Sequence, residues 1–463
     1  MADGLALEIA KRANALKYAD FPADAVHWAK VAITDAFGVS LAGAHEPAPE
    51  IAGHVLEAAR TPGPSLLWGT NVRTRPMEAA LVNGTACHAL DYDDTNNTSG
   101  AHPTCPVLPA AVALGEELGA SGRDIVEAYV VGVETLARIS QAVQVEHHHY
   151  RKGWHPTGTL GVFGAAAACG RLLKLSDEHM AAALSIAVSE ASGVKANFGT
   201  MTKPLHAGLA NRNGLFAALM AKEGFTASPQ AFEHSQGFFA VYNGPGPFVP
   251  EKALENWASP LEIADPSIGI KQYPCCGSVM PVMDLALAMR KKHGLKPEDI
   301  KSVTPMTHER RLYHTTRPDP RTSLDAKFSV EYCTARALLD GAIVFEQFEG
   351  EAHLDPAVRK FMAEKVKAEP HTDDNHYGAH LVITLNDGRV LKDYTAKAKG
   401  RGPDHPLSAD ELKAKFVNCA KRALPESQVE ALYAACQGFE ALKNVREITK
   451  LMETSPGAQK AAE

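Results

Sequence analysis

The sequence predicts a mainly α protein, with an all-helical domain formed by both chain ends and a smaller α+β domain inserted between them. Three observations predict it. Apolar residues recur at helical spacing from about residue 5 to 265. The character changes near Pro266, beyond which helices mix with strands to about residue 400. After Gly400-Arg401-Gly402-Pro403 the helical pattern returns. A chain of 463 residues is too long for one compact core. The expected organisation is a first helical segment over 1–267, an α+β domain over 268–402, a returning helical segment over 403–455 and a disordered tail over 456–463.

Each element has its own local signal. Pro22 opens a segment in which Val26, Ala29, Ile33 and Phe37 recur at helical spacing. Ser121 with Asp124 marks a helix start ahead of Ile125-Val126-Glu127-Ala128-Tyr129. Gly158, Gly161 and Gly164 recur every third residue in an alanine-rich stretch, where each glycine costs about 1 kcal/mol relative to alanine. Close packing between helices is the expected compensation; no strand precedes these glycines, so a dinucleotide fingerprint is unsupported. Ile300 to Thr307 reads as a strand that Pro305 makes short or confines to an edge. Asn386-Asp387-Gly388 between Leu381–Leu385 and Arg389-Val390-Leu391 reads as a β-hairpin. Ser408 with Glu411 forms a capping box before the returning helix.

Hydrophobic content of 45% and charged content of 22% are those of an ordinary globular protein. A net charge of −7 argues against nucleic-acid and anionic-membrane partners, although local cations in a cleft still permit a small anionic substrate. The eight cysteines contain no Cys-x-x-Cys, and no basic leader or apolar run of roughly 18 residues is present. The expectation is a cytoplasmic protein with reduced thiols.

Three polar clusters interrupt the apolar helices: Asp91-Tyr92-Asp93-Asp94-Thr95 with Ala101-His102-Pro103, Gly153-Trp154-His155-Pro156-Thr157, and Thr200-Met201-Thr202-Lys203-Pro204-Leu205-His206. The calcium-loop template fails, because its glycine position holds Asn96 and its twelfth position holds His102. The run His147-His148-His149 points in different directions on any regular element, so no metal site is expected. No Gly-x-Ser-x-Gly elbow occurs, and Cys275 and Cys276 read equally as pocket residues or as buried reduced thiols.

General acid–base chemistry fits these clusters best. Asp91 held near His102 and His155 gives groups whose pKa values can be pushed apart. Lys203, Lys271 and Arg212 are counter-charges for a substrate rich in carboxylates. Asp93 and Asp94 read as well as helix-capping or turn residues, and His206 as a satisfied core histidine. Proline after His102 and after His155 excludes regular helix at each imidazole and places it at an element boundary.

Taken together, the clusters resemble the MmgE/PrpD family. The resemblance is carried by His88-Ala89-Leu90-Asp91-Tyr92-Asp93-Asp94-Thr95, His102-Pro103, Gly153-Trp154-His155-Pro156-Thr157, Thr202-Lys203-Pro204-Leu205-His206-Ala207-Gly208, Lys271-Gln272-Tyr273-Pro274-Cys275-Cys276-Gly277 and Asp325-Ala326-Lys327-Phe328-Ser329-Val330, and it covers nearly the whole chain. It implies that the α+β domain is a lid, that the protein is a homodimer, and that it needs neither a metal nor an organic cofactor. Position by position it implies a pocket of Asp91, Thr95, His102, His155, Lys203, Lys271 and Tyr332. Asp91, His102, His155, Lys203, Lys271 and Tyr332 are the catalytic candidates; Thr95, His206, Arg212 and Cys276 are the substrate-binding candidates.

The family contains 2-methylcitrate dehydratase, cis-aconitate decarboxylase and iminodisuccinate epimerase. Their common thread is proton transfer at a carbon beside a carboxylate, and the charge that develops there needs cations such as Lys203 and Lys271. Where the decarboxylase has a catalytic histidine, this chain has Cys276, which moves the expectation away from decarboxylation. The sequence therefore leads to a dehydratase of a small hydroxy-polycarboxylate such as 2-methylcitrate. Its alternative is an epimerase of a dicarboxylate such as iminodisuccinate. Decarboxylation and non-catalytic polycarboxylate binding rank below both.

Overall fold

The computed structural model describes residues 4–144 and 148–455. His147 and the expected disordered tail over 456–463 lie outside the described residues. The chain is mainly α and divides into two compact units, one running to Ile270 and resuming at Ser408, the other Lys271–Leu407. Among the described residues, no helix is long and apolar enough to cross a membrane.

The helical unit is built on close backbone approach between alanine- and glycine-rich helices. Thr202–Lys222 packs against Pro76–Ala89, Gly161–Leu172 and Asp177–Glu190. At Gly208 a Cβ would lie 2.4 Å from the Leu81 carbonyl oxygen, so only glycine permits this crossing. At Gly164 a Cβ would sit 2.9 Å from the Gly132 carbonyl oxygen, so the helix-packing expectation holds there. The closest neighbours of Gly158 and Gly161 are instead the Ser192 carbonyl and the Pro106 side chain, both outside helices.

Helix boundaries follow their caps. Ala23–Gly43 starts directly after Pro22 and buries Ala29, Ile33 and Phe37. Gly122–Ala142 carries the full Ser121/Asp124 capping box, and Ala409–Ala420 the Ser408/Glu411 box. The returning Ala409–Ala420 helix packs on Ala23–Gly43, burying Phe416 and pairing Lys415 with Asp35 at 2.7 Å. Burial of a side chain the size of Phe416 contributes about 1.5–3 kcal/mol, which explains why residues far apart in sequence close one core.

In Lys271–Leu407 a four-stranded sheet has the order Glu369–His371, Ile300–His308, Ala379–Leu385, Val390–Thr395. Ala379, Leu381, Ile383 and Leu385 are buried while the residues between them are partly exposed. Their buried face joins Val282, Met283 and Met289 of the Met280–His293 helix in the core. Ala379–Leu385 pairs antiparallel with Val390–Thr395, and Gly388 takes φ +89°, the left-handed conformation the turn requires.

One expectation is corrected. Ile300–His308, despite Pro305, is an interior strand of nine residues, antiparallel to Ala379–Leu385 and parallel to Glu369–His371. Parallel pairing brackets the proline, with a Val303–Val366 bridge before it and the Met306–Glu369 pair after it, so the ladder is interrupted where the N–H is missing and resumes beyond it.

Candidate active site

The Pro76–Ala89 helix ends one residue after His88, and Asp91 then adopts φ +53°. A non-glycine residue in this left-handed region costs about 1–2 kcal/mol, a strain that persists where surrounding contacts over-determine it. Here the contacts are ionic. Lys203, in the first turn of Thr202–Lys222, places Nζ 2.8 Å from Asp91 Oδ1. The returning helix holds the same turn from another side, with Lys415 Nζ donating to the Tyr92 carbonyl at 2.9 Å.

Asp93 sits between two imidazoles. His88 Nδ1 is 2.9 Å from its Oδ2, and His102 Nδ1 is 3.1 Å from the same oxygen. The other nitrogen of His102 is 3.6 Å from Asp91 Oδ1, so a carboxylate faces each side of that ring. His102 is fixed through its backbone too, its N–H donating to Thr157 Oγ1 at 3.1 Å. Burial pushes the His88 imidazole down to about 3, leaving it neutral and able to donate Nδ1–H to Asp93. Burial opposes ionisation of Asp93, but the facing His102 and His88 rings outweigh it and hold the carboxyl well below the usual range.

His155 ends an extended segment before the Pro156–Thr159 turn, as the proline required. Its Nδ1 lies 3.0 Å from His206 Nδ1, so one ring donates and the other accepts. Burial and the Lys203 charge hold His155 well below the ordinary imidazole range and bring His206 to about 4. The site therefore combines a charged chain, Lys203–Asp91–His102–Asp93, with a neutral imidazole pair. His88 lies between them, its ring centroid 4.4 Å from that of His102 and 5.7 Å from that of His155.

Asp94 faces a different partner set. It accepts from Thr104 through backbone and side chain, and Thr104 also meets the Tyr129 hydroxyl. Burial pushes the Asp94 carboxyl up to about 8. It is a buried neutral acid, which neither the capping nor the turn reading had described. Further along, Asn96 Nδ2 donates to Glu262 at 2.8 Å, and Asn96 pairs with Ile268 in a two-stranded ladder. These contacts tie the loop after Asp94 to the end of the first helical segment.

The helical unit thus brings Asp91, His102, His155, Lys203 and His206 together. Thr95 is half-buried in the short ladder, its hydroxyl donating to the Gly269 carbonyl at 3.4 Å. Arg212 stands apart. It lies two and a half turns beyond Lys203 on the same helix, about 13 Å along the axis and on the opposite side, and it is exposed.

Three candidates belong to Lys271–Leu407. Lys271 is buried. Cys276 is buried, with its N–H donating to the Lys327 carbonyl at 3.0 Å. Burial pushes the neighbouring Cys275 thiol well above its usual value, so that residue is an inert core thiol. Tyr332 is a core side chain of this unit: its hydroxyl donates to the Gln347 carbonyl and accepts from Arg336 Nε at 3.0 Å.

The sequence assigns His88 no role beyond its place in a motif, and Asp93 reads there as a helix-capping or turn residue. Proximity of His88, Asp91, Asp93 and His102 in the sequence was their signal; their convergence needed the bend at Asp91. Donor atoms of these four lie within 4.8 Å of one another, a set able to hold a metal ion, with the Lys203 ammonium beside it. His149, from the histidine run, is instead satisfied by Asn243 at 3.1 Å and Thr159 at 2.7 Å.

The chain matches the family model of the MmgE/PrpD N-terminal domain over residues 7–251 and that of the MmgE/PrpD C-terminal domain over residues 273–438. It is 32% identical over 436 residues to a cis-aconitate decarboxylase of Homo sapiens, covering 91% of this chain and 89% of that protein. It is 28% identical over 477 residues to a cis-aconitate decarboxylase of Aspergillus terreus, covering 97% and 96%. It is 24% identical over 349 residues to a 2-methylcitrate dehydratase of Salmonella typhimurium, covering 70% of each.

Proposed function

The chain belongs to the MmgE/PrpD family, and from that premise we propose that it is a lyase of small tricarboxylates whose reaction is the decarboxylation of cis-aconitate. Similarity to the human and fungal decarboxylases across most of each chain supports this reading. It reverses the order that the sequence alone had given, in which decarboxylation stood below dehydration and epimerisation.

The observation that carries the proposal is the buried chain Lys203–Asp91–His102–Asp93 beside the neutral His155–His206 pair. In the proposed step the bond from the substrate methylene to its carboxylate breaks and CO2 leaves. The released electron pair forms a terminal double bond, and the pair of the old double bond takes a proton at the vinylic carbon. Negative charge builds on the carboxylate attached to that carbon, where a fixed ammonium stabilises it most strongly in a water-poor site. Lys203 supplies that charge. His102, oriented by Asp93 and Asp91, or the neutral His155, supplies the proton.

A second reading, dehydration of a hydroxy-tricarboxylate, is favoured by one residue. Cys276 stands where the family's decarboxylase pattern has a histidine, and a thiol is a poorer proton donor to a carbanion-like centre. The relative named 2-methylcitrate dehydratase supports this alternative.

Proton NMR in deuterated water, with cis-aconitate, 2-methylcitrate, citrate and iminodisuccinate, tests both. Terminal methylene resonances from cis-aconitate, with CO2 release and one deuteron in the new saturated methylene, are the expected result. An alkene formed from 2-methylcitrate without CO2 selects dehydration. Deuterium exchange with stereoisomer interconversion and no alkene selects epimerisation. No turnover of any of the four overturns the lyase proposal.

A further inference from the structure

We propose that His371, Asp373 and His380 form a zinc-type metal site in Lys271–Leu407, outside the residues assigned to catalysis. The sheet topology creates it. His371 ends the strand Glu369–His371, and His380 is the second residue of Ala379–Leu385. Both strands flank Ile300–His308, where His371 is in register with His308 and His380 with Met306. The connection between them crosses the end of that central strand and carries Asp373. The His371 and His380 rings come to 5.2 Å between centroids.

Hydrogen bonding fixes the tautomer that a metal needs. His371 Nε2 is 3.1 Å from the Gly378 carbonyl oxygen, which can only accept, so Nε2 carries the hydrogen and Nδ1 the lone pair. A ligating histidine is commonly oriented in this way by a carbonyl on its far nitrogen. The ring is 5% exposed, and its Nδ1 is buried without a hydrogen-bond partner among the described residues. Asp373 Oδ2 lies 3.7 Å from that nitrogen. The same oxygen is 2.6 Å from His380 Nε2.

Ligand atoms around tetrahedral zinc, with bonds of about 2.0–2.1 Å, are separated by about 3.3 Å. The two spacings at Asp373 bracket that value, and all three donor atoms lie within 4.8 Å of one another. Small side-chain rotations would therefore complete three protein ligands. Two imidazoles and one carboxylate suit Zn2+ better than Ca2+ or Mg2+, and the half-exposed Asp373 leaves the fourth position to water. A bound ion would clamp both neighbours of the central strand, so zinc should stabilise the fold.

The test is calorimetric titration of Zn2+ into chelator-treated, tag-free full-length protein, with thermal unfolding in parallel. The wild type is expected to bind Zn2+ and to unfold at higher temperature in its presence. Asp373→Asn and His371→Ala should each weaken the binding by more than roughly tenfold and remove the thermal shift. Asp373 is half-exposed, so its variant keeps the test valid should His371→Ala misfold. His102→Ala should retain the binding, which separates this site from the His88–Asp91–Asp93–His102 group. Wild-type protein that binds no Zn2+, or binding unchanged in Asp373→Asn, overturns the proposal. Turnover of Asp373→Asn should match the wild type.

Discussion

Lys203 Nζ and Asp91 Oδ1 are 2.8 Å apart, with side chains 5% and 3% exposed, and they join the start of one helix to the strained turn that ends another. Removing one partner of a buried pair leaves the other charged and unsolvated, at a cost of about 3–5 kcal/mol. Lys203→Ala is therefore expected to lower unfolding stability by that amount and to abolish turnover. Combining it with Asp91→Asn should recover most of the stability and none of the turnover. Urea unfolding and product NMR check this; a double variant no more stable than Lys203→Ala contradicts the assignment.

His88 acts through Asp93, which it meets at 2.9 Å, and Asp93 in turn orients His102. We expect His88→Gln to fold and to lose roughly tenfold to a hundredfold in kcat, with KM little changed, because a positioning residue is removed and no substrate contact is. A change confined to KM would place His88 against the substrate instead.

The buried histidines set the acid limit of stability. His88 is held at about 3, His206 at about 4 and His155 well below the ordinary value of 6.5, mainly by burial. Between about pH 6.5 and pH 4 the unfolded chain binds more protons than the folded chain, so this contribution is complete above pH 6.5 and is lost as pH falls. Thermal unfolding across that range should show a steep decline. His206→Asn should make it shallower, and an unchanged slope would contradict the linkage.

Asp94 acts with the opposite sign. Its carboxyl is raised from 3.8 to about 8 by burial, so the folded chain holds a proton that the unfolded chain has released. Its contribution is complete below about pH 4 and is lost as pH rises through 8. Asp94→Asn, whose amide oxygen still accepts from Thr104, should flatten the stability curve between pH 5 and about 8. A loss of stability that is equally steep in the variant would contradict the neutral-acid assignment.

Tyr332 donates to the Gln347 carbonyl and accepts from Arg336 in a buried core. Tyr332→Phe leaves both groups short of a partner and is expected to cost about 1–3 kcal/mol of stability. Lost turnover without lost stability would return the phenol to a catalytic role.

Much of the fold was legible because its signals are local. The Ser121 and Ser408 capping boxes and the Asp387-Gly388 turn each depend on residues within a few positions. Pro305 misled because an interior ladder paired on both sides of a proline can step over its one missing N–H, which sequence does not state. Arg212 followed charge alone, whereas nine residues of helix separate its direction from that of Lys203.

By itself the sequence determined the mainly helical class, the α+β insertion, and the three polar clusters that carry acid–base residue types. Only the tertiary structure decided which of those residues share a site and in what protonation state. The left-handed bend at Asp91 brings His88 to Asp93, burial makes Asp94 neutral while Asp93 stays ionised, and the His155–His206 contact spans 51 residues. Residue identity fixes what a group can donate or accept. Desolvation and neighbouring charge, which exist only once the chain has closed around them, fix what it does.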